Sequence, residues 1–224
     1  MKISPDLINF FKIGNITINA TVFYTWIIML ILVIGSILST RRLSIGKKIS
    51  RWQNFLETLI GYMRKEIGEI TRLDPDPLIP FIGTLFIFIS FSSILSIFPY
   101  YNPPTGSILT TASLSICVFF AVHVFGITHR GLANYFKRYI KPNILMLPFN
   151  VLSELSRTLA LAVRLFGNVM SGTMIAGVLL SIAPFFFPII IQLFGLLIGQ
   201  IQAYIFAILA TVYISSGMQS NNKK

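Results

Sequence analysis

Apolar and polar residues follow one another along this chain in long blocks. The blocks at 20–39, 79–98 and 108–128 are almost wholly apolar. Each matches the roughly 20 residues that a helix needs to cross a hydrocarbon layer about 30 Å thick. Residues 49–72 follow another rule. There Trp52, Phe55, Leu56, Leu59, Ile60, Met63, Ile67 and Ile70 recur at steps of three and four, with Arg51, Glu57, Arg64, Lys65, Glu66, Glu69 and Arg72 between them. That period predicts an amphipathic helix on a membrane surface, the other reading being a helix that docks a soluble partner. Asp74-Pro75-Asp76-Pro77 ends it. Residues 144–180 are apolar apart from Glu154, Arg157 and Arg164. As one helix they would be roughly 55 Å long, and residues 189–217 roughly 40 Å. Two helices longer than a perpendicular crossing, separated by a short segment holding Pro184 and Pro188, predict a steeply tilted hairpin within the membrane.

The fold class expected is therefore all-α and polytopic, one membrane domain over 1–224, and composition agrees. Of 224 residues 54% are hydrophobic and 11% charged, with a mean hydropathy of +0.78. The net charge of +11 would suit nucleic acid in a soluble protein, but its position excludes that reading. Arg41, Arg42, Lys47 and Lys48 follow the first span, Arg130, Lys137, Arg138 and Lys141 follow the third, and Lys223 and Lys224 end the chain, whereas 99–107 has no charge. Basic loops face the cytoplasm, which puts the C-terminus there and the N-terminus outside, in a bacterial inner membrane. The first span is retained: it is too long for a signal peptide and its basic residues follow it. Cys117 is the single cysteine, and His123 and His129 stand six apart, off a common helical face, so no disulfide or metal pair is expected. HExxH, phosphate-loop and nucleophile-elbow motifs are absent, and no cofactor or catalysis is expected. No internal repeat supports a secondary transporter, and no cluster of carboxylates or histidines supports an intramembrane enzyme.

Arg164 carries the chemistry. Leu159 to Val163 precede it and Leu165 and Phe166 follow. An arginine at a bilayer centre costs about 2.5 to 3.5 kcal/mol on insertion scales, and such a residue is functional by default. Asn168 lies one turn on. Ala160, Arg164, Asn168 and Gly172 form an i, i+4 row whose small members admit another helix, and Gly195, Gly199, Ala203 and Ala207 form a second row with Gln202 beside it. Gln202 and Gln200 are either functional or interhelical hydrogen-bonding groups. Glu154 is too far along the helix to pair with Arg164, but stands three residues before Arg157 and can pair with it; a structural pair and a functional role are both open for these two. His123 either lines an access path or is packed.

The run from Glu154-Leu155-Ser156-Arg157 through Ala162-Val163-Arg164-Leu165-Phe166-Gly167-Asn168-Val169-Met170-Ser171-Gly172, with Gln202-Ala203-Tyr204-Ile205-Phe206 and Val212-Tyr213 later, resembles the signature of the F-type ATP synthase subunit a family. The likeness is close over the C-terminal third and one of layout elsewhere. It implies a non-catalytic stator subunit of the Fo sector, partnered by the c-ring, the subunit b stalk, other synthase subunits and lipid. Arg164 would match the essential arginine between two offset half-channels, with Asn168 and Gln202 flanking it and Glu154 toward the cytoplasmic exit. Arg157, His123, Thr173 and Tyr213 are secondary candidates. Where many members carry ionisable residues, nine positions after the arginine and seven before the glutamine, this chain has Thr173 and Gly195. A proton route must then use other groups or water, and a sodium-translocating branch is the alternative.

Overall fold

The structure is a computed structural model that describes residues 9–13, 16–41, 51–98, 101–132, 135, 145–182 and 187–218. Arg42, Lys47, Lys48, Lys137, Arg138, Lys141, Pro184, Lys223 and Lys224, on which part of the expected layout rests, lie outside the described residues. Among the described residues a short antiparallel ribbon, β1 (Asn9–Ile13) and β2 (Ile16–Asn19), precedes six long helices. These are α1 (Ala20–Thr40), α2 (Arg51–Thr71), α3 (Ile79–Leu95), α4 (Ile108–Arg130), α5 (Met146–Ile182) and α6 (Phe187–Met218). Residues Ala20–Thr40, Ile108–Arg130, Met146–Leu179 and Ile190–Met218 are long and apolar enough to cross a membrane. The chain is an all-α polytopic membrane protein in its spanning part.

The ends of the helices depart from the periodicity in small ways with local causes. α3 stops at Leu95, short of the expected 98, because Ser96, Ile97 and Phe98 donate their N–H groups to carbonyls three residues back. That tighter winding rises about 2.0 Å per residue, so the 17-residue helix and its extension together reach about 30 Å. α4 runs to Arg130 and ends at Gly131, whose φ of 77° is open to glycine. α6 begins at Phe187 rather than after Pro188, since a proline in the first helical turn lacks only an N–H with no partner there.

One apolar core joins the spans: Ile28 of α1, Leu85, Phe88 and Ile89 of α3, Val118 of α4, Leu161 and Leu165 of α5, and Ala203, Phe206 and Ala210 of α6. A second core holds α2 in place, with Ile67 packed among Leu78, Ile82, Ala121, Val122, Ala207, Ile214 and Met218. The charged face of α2 stays out: Arg64 pairs with Asp76 at 2.7 Å, both side chains over half exposed. α6 makes two close crossings. A Cβ added at Gly199 would stand 2.8 Å from the Ser93 Cβ of α3, and one at Gly217 would stand 3.1 Å from the Val122 carbonyl oxygen of α4.

These contacts define two ends. At the basic end Arg130 Nε donates to the Met218 carbonyl at 3.0 Å, closing α4 onto the C-terminus of α6 and setting a cation where the helix dipole favours one. At the loop end the 3-10 turn Pro104–Gly106 is buried, and a Cβ at Gly106 would meet Val169 of α5 at 3.4 Å. Tyr24 of α1 stacks edge-on against Tyr101 there, ring centres 5.0 Å apart. Burial pushes the Tyr101 phenol up to about 12. α5 passes this turn at Val169 yet continues to Ile182, roughly 20 Å further. Met174, Ile175, Val178, Leu193, Phe194 and Leu197 in this far part of the hairpin are exposed.

Candidate functional site

The site grows from the two faces of α5. Leu161, Ala162 and Leu165 are buried against the core, and one step around the helix Leu159, Ala160, Val163, Arg164, Gly167 and Ser171 are exposed. Arg164 thus stands outward among apolar and small side chains. Among the described residues no carboxylate lies within 4.0 Å of it and no hydrogen bond engages its guanidinium. By helical rise it is roughly 15 Å from Glu154 and 8 Å from the loop-end contact of Val169, well inside the span. A cation on such a face inside a hydrocarbon layer would be costly without an anion beside it.

One turn on, the half-buried Asn168 donates Nδ2 to Oε1 of Gln202 at 3.3 Å, tying α5 to α6 beside Arg164. Gln202 is only 5% exposed, and its Nε2 has no acceptor among the described residues. Arg164, Asn168 and Gln202 are therefore neighbours in space, although 34 residues separate the last two. The two small-residue rows behave differently. A Cβ at Gly167 or Gly172 would meet nothing within 4 Å, so the α5 face is open. Gly199, Ala203 and Ala207 are buried against the chain's own helices, so the second row packs internally, with only Gly195 in open space.

The basic-end candidates take other partners than their spacing suggests. Arg157 lies over the Tyr213 ring, 5.7 Å from its centre, a cation–π contact in place of a pair with Glu154. Glu154 faces His123 of α4, Oε2 to Nε2 at 4.0 Å. His123 is held by Nδ1 on the Phe119 carbonyl at 2.8 Å and by the rings of Phe119 and Tyr135, 4.4 and 5.8 Å away. Thr173 is exposed on the far part of α5 and donates to the Met170 carbonyl at 2.8 Å.

The loop end holds a polar group that local spacing does not reveal. Ser90 of α3 and Gln200 of α6 bond side chain to side chain, and Gln200 Nε2 also donates to the Ser90 carbonyl at 3.0 Å. Ser92 and Thr105 hydroxyls meet at 3.4 Å, and Ser107, Thr111 and Ser115 are buried nearby in sequence. These oxygens are neutral and belong to α3, α4, α6 and the loop between α3 and α4. Gly106 then abuts Val169, the neighbour of Asn168.

Comparison with known proteins bears on the family of the chain. The family model for the ATP synthase A chain matches residues 22–215. ATP synthase subunit a of Albidiferax ferrireducens is 53% identical over 224 residues, covering 100% of this chain and 97% of the relative. Subunit a of Nitrosospira multiformis is 51% identical over 223 residues, covering 100% of this chain and 89% of the relative. Subunit a 1 of Chlorobium luteolum is 51% identical, with both chains covered in full.

Proposed function

The chain belongs to the ATP synthase A chain family, and from that premise we propose that it is the stator subunit through which ions reach and leave the rotor carboxylates of the Fo sector. The observation that carries the reading is Arg164: exposed, without a described ion pair, and set on an apolar helix face beside the Asn168–Gln202 bond. Two unit charges 4 Å apart attract by about 4 kcal/mol at an effective dielectric of 20, worth about three pKa units. A rotor carboxylate that stops against Arg164 is held ionised and gives up its ion. The same attraction is of the size needed to offset the insertion cost of the arginine.

Access from outside runs by the loop-end oxygens Ser92, Thr105, Ser90 and Gln200 toward Asn168 and Gln202. Exit to the cytoplasm runs by Glu154 at the basic end. Because the two paths approach opposite sides of Arg164, an ion crosses only by riding the ring, and each charge carries about 2.3 kcal/mol per 100 mV. The ring of c subunits docks on the open α5 face, subunit b and the other subunits hold the chain still, and ATP chemistry stays on other subunits. The N-terminus faces outward and the C-terminus the cytoplasm, in a bacterial inner membrane.

Sodium is the second cargo to consider. The loop-end group offers hydroxyl and amide oxygens and no carboxylate among its members, ligands that suit a hard cation as well as water. Vesicles carrying the assembled complex decide both points. Coupled ATP-driven pumping should vanish in Arg164→Ala while the complex still assembles; pumping that persists would defeat the stator reading. A requirement of the wild type for sodium names the cargo.

A further inference from the structure

We propose that His123 and Glu154 act as one proton-exchange unit at the basic end, with His123 a positioning and proton-holding partner of the exit carboxylate. The inference rests on the stator reading with protons as cargo. A backbone carbonyl only accepts, so the 2.8 Å contact with Phe119 oxygen fixes the hydrogen of a neutral His123 on Nδ1. Nε2 then turns a bare lone pair toward Glu154 Oε2 across 4.0 Å. Two acceptors facing each other make a place for one proton, or for one proton-bearing water, and a movement of about 1 Å closes the gap to a hydrogen bond. When the pair takes up a proton its net charge goes from −1 to 0, the proton resting on Nε2 or Oε2; when it passes the proton to water or toward the ring, the charge returns to −1.

Its surroundings suit transfer. The His123 and Glu154 side chains are 30% and 19% exposed, one edge wet and the rest sheltered. Tyr135 packs edge-on against the imidazole; of the described charged residues on the same two helices, Arg130 of α4 donates to the Met218 carbonyl of α6 and Arg157 of α5 lies over the Tyr213 ring of α6. His129, the other titratable group of this stretch of α4, is exposed, and α6 carries no charged residue.

The test is ATP-driven acidification of vesicles bearing the assembled complex, followed between about pH 5 and 8, for wild type, His123→Asn, Glu154→Gln and the double variant. Asparagine keeps an amide within reach of the Phe119 carbonyl and removes only Nε2. Each single variant should displace the pH profile, and the double should match the worse single within about twofold, as expected of residues that act together. Should His123→Asn assemble poorly, His123→Gln is read the same way. Single variants whose profiles superimpose on the wild type, single effects that multiply in the double, or a wild type that pumps sodium without regard to pH would each overturn the unit. Arg164→Ala run alongside separates the two failures: acidification that survives it defeats the stator reading itself.

Discussion

At the residue scale, the proposed function rests on side chains left without a partner among the described residues. Arg164 shows this at the exposed face and Gln202 Nε2 in the interior. In the proposed mechanism the charge of Arg164 itself is needed, and it would have to persist against the rotor in a dry site where an ammonium readily loses its proton. Arg164→Lys should therefore keep some assembly yet lose most coupled transport, read as ATP hydrolysis that no longer drives an ion gradient. On the same proposal Asn168 and Gln202 act through their mutual bond. Asn168→Ala and Gln202→Ala should each slow pumping, and the double should fall short of the product of the two, with a coupling of about 0.5 kcal/mol or more in a double-mutant cycle. Independent effects would mean that the 3.3 Å contact is incidental. Arg164 was legible from sequence because a charge inside an apolar run has no ordinary explanation, and Asn168 followed from one helical turn. The facing of His123 and Glu154, 31 residues apart on different helices, has no local signal, and neither has the meeting of Ser90 with Gln200.

At the scale of elements, two crossings of α6 are close because a glycine stands at each, Gly199 against α3 and Gly217 against α4. Gly199→Ala would drive a methyl against the Ser93 Cβ, which the α3 backbone fixes in place. Overpacking of this kind costs about 1–3 kcal/mol. The expected result is a lower unfolding temperature of the detergent-solubilised complex, relieved by adding Ser93→Gly; absence of relief would show that another contact sets the α3–α6 distance. Helix positions were well marked by apolar blocks, because twenty apolar residues have few other uses. Their ends were less so: the tight turns that extend α3 and the proline inside the first turn of α6 are decided by individual backbone hydrogen bonds. The β1–β2 ribbon was not anticipated, since strands of 5 and 4 residues are too short for a clear alternation.

At the scale of the whole molecule, five apolar helices are organised around one core, and the long hairpin of α5 and α6 contributes to it only with part of its length. The exposed apolar far part is what a lipid or subunit environment would cover. The proposed orientation makes a simple statement about accessibility. A membrane-impermeant maleimide should label Asn102→Cys in intact cells and Thr40→Cys only after lysis, both in a Cys117→Ser background; the reverse pattern would invert the two half-channels. The α5 face beside Arg164 bears directly on the central claim. With Gly167→Cys in that same background, and a cysteine next to the rotor carboxylate, oxidation in the membrane should form a disulfide that stops ATP-driven pumping until it is reduced. A disulfide formed equally well from Leu38→Cys on α1, or none from Gly167→Cys in an assembled complex, would contradict the placing of Arg164 against the rotor.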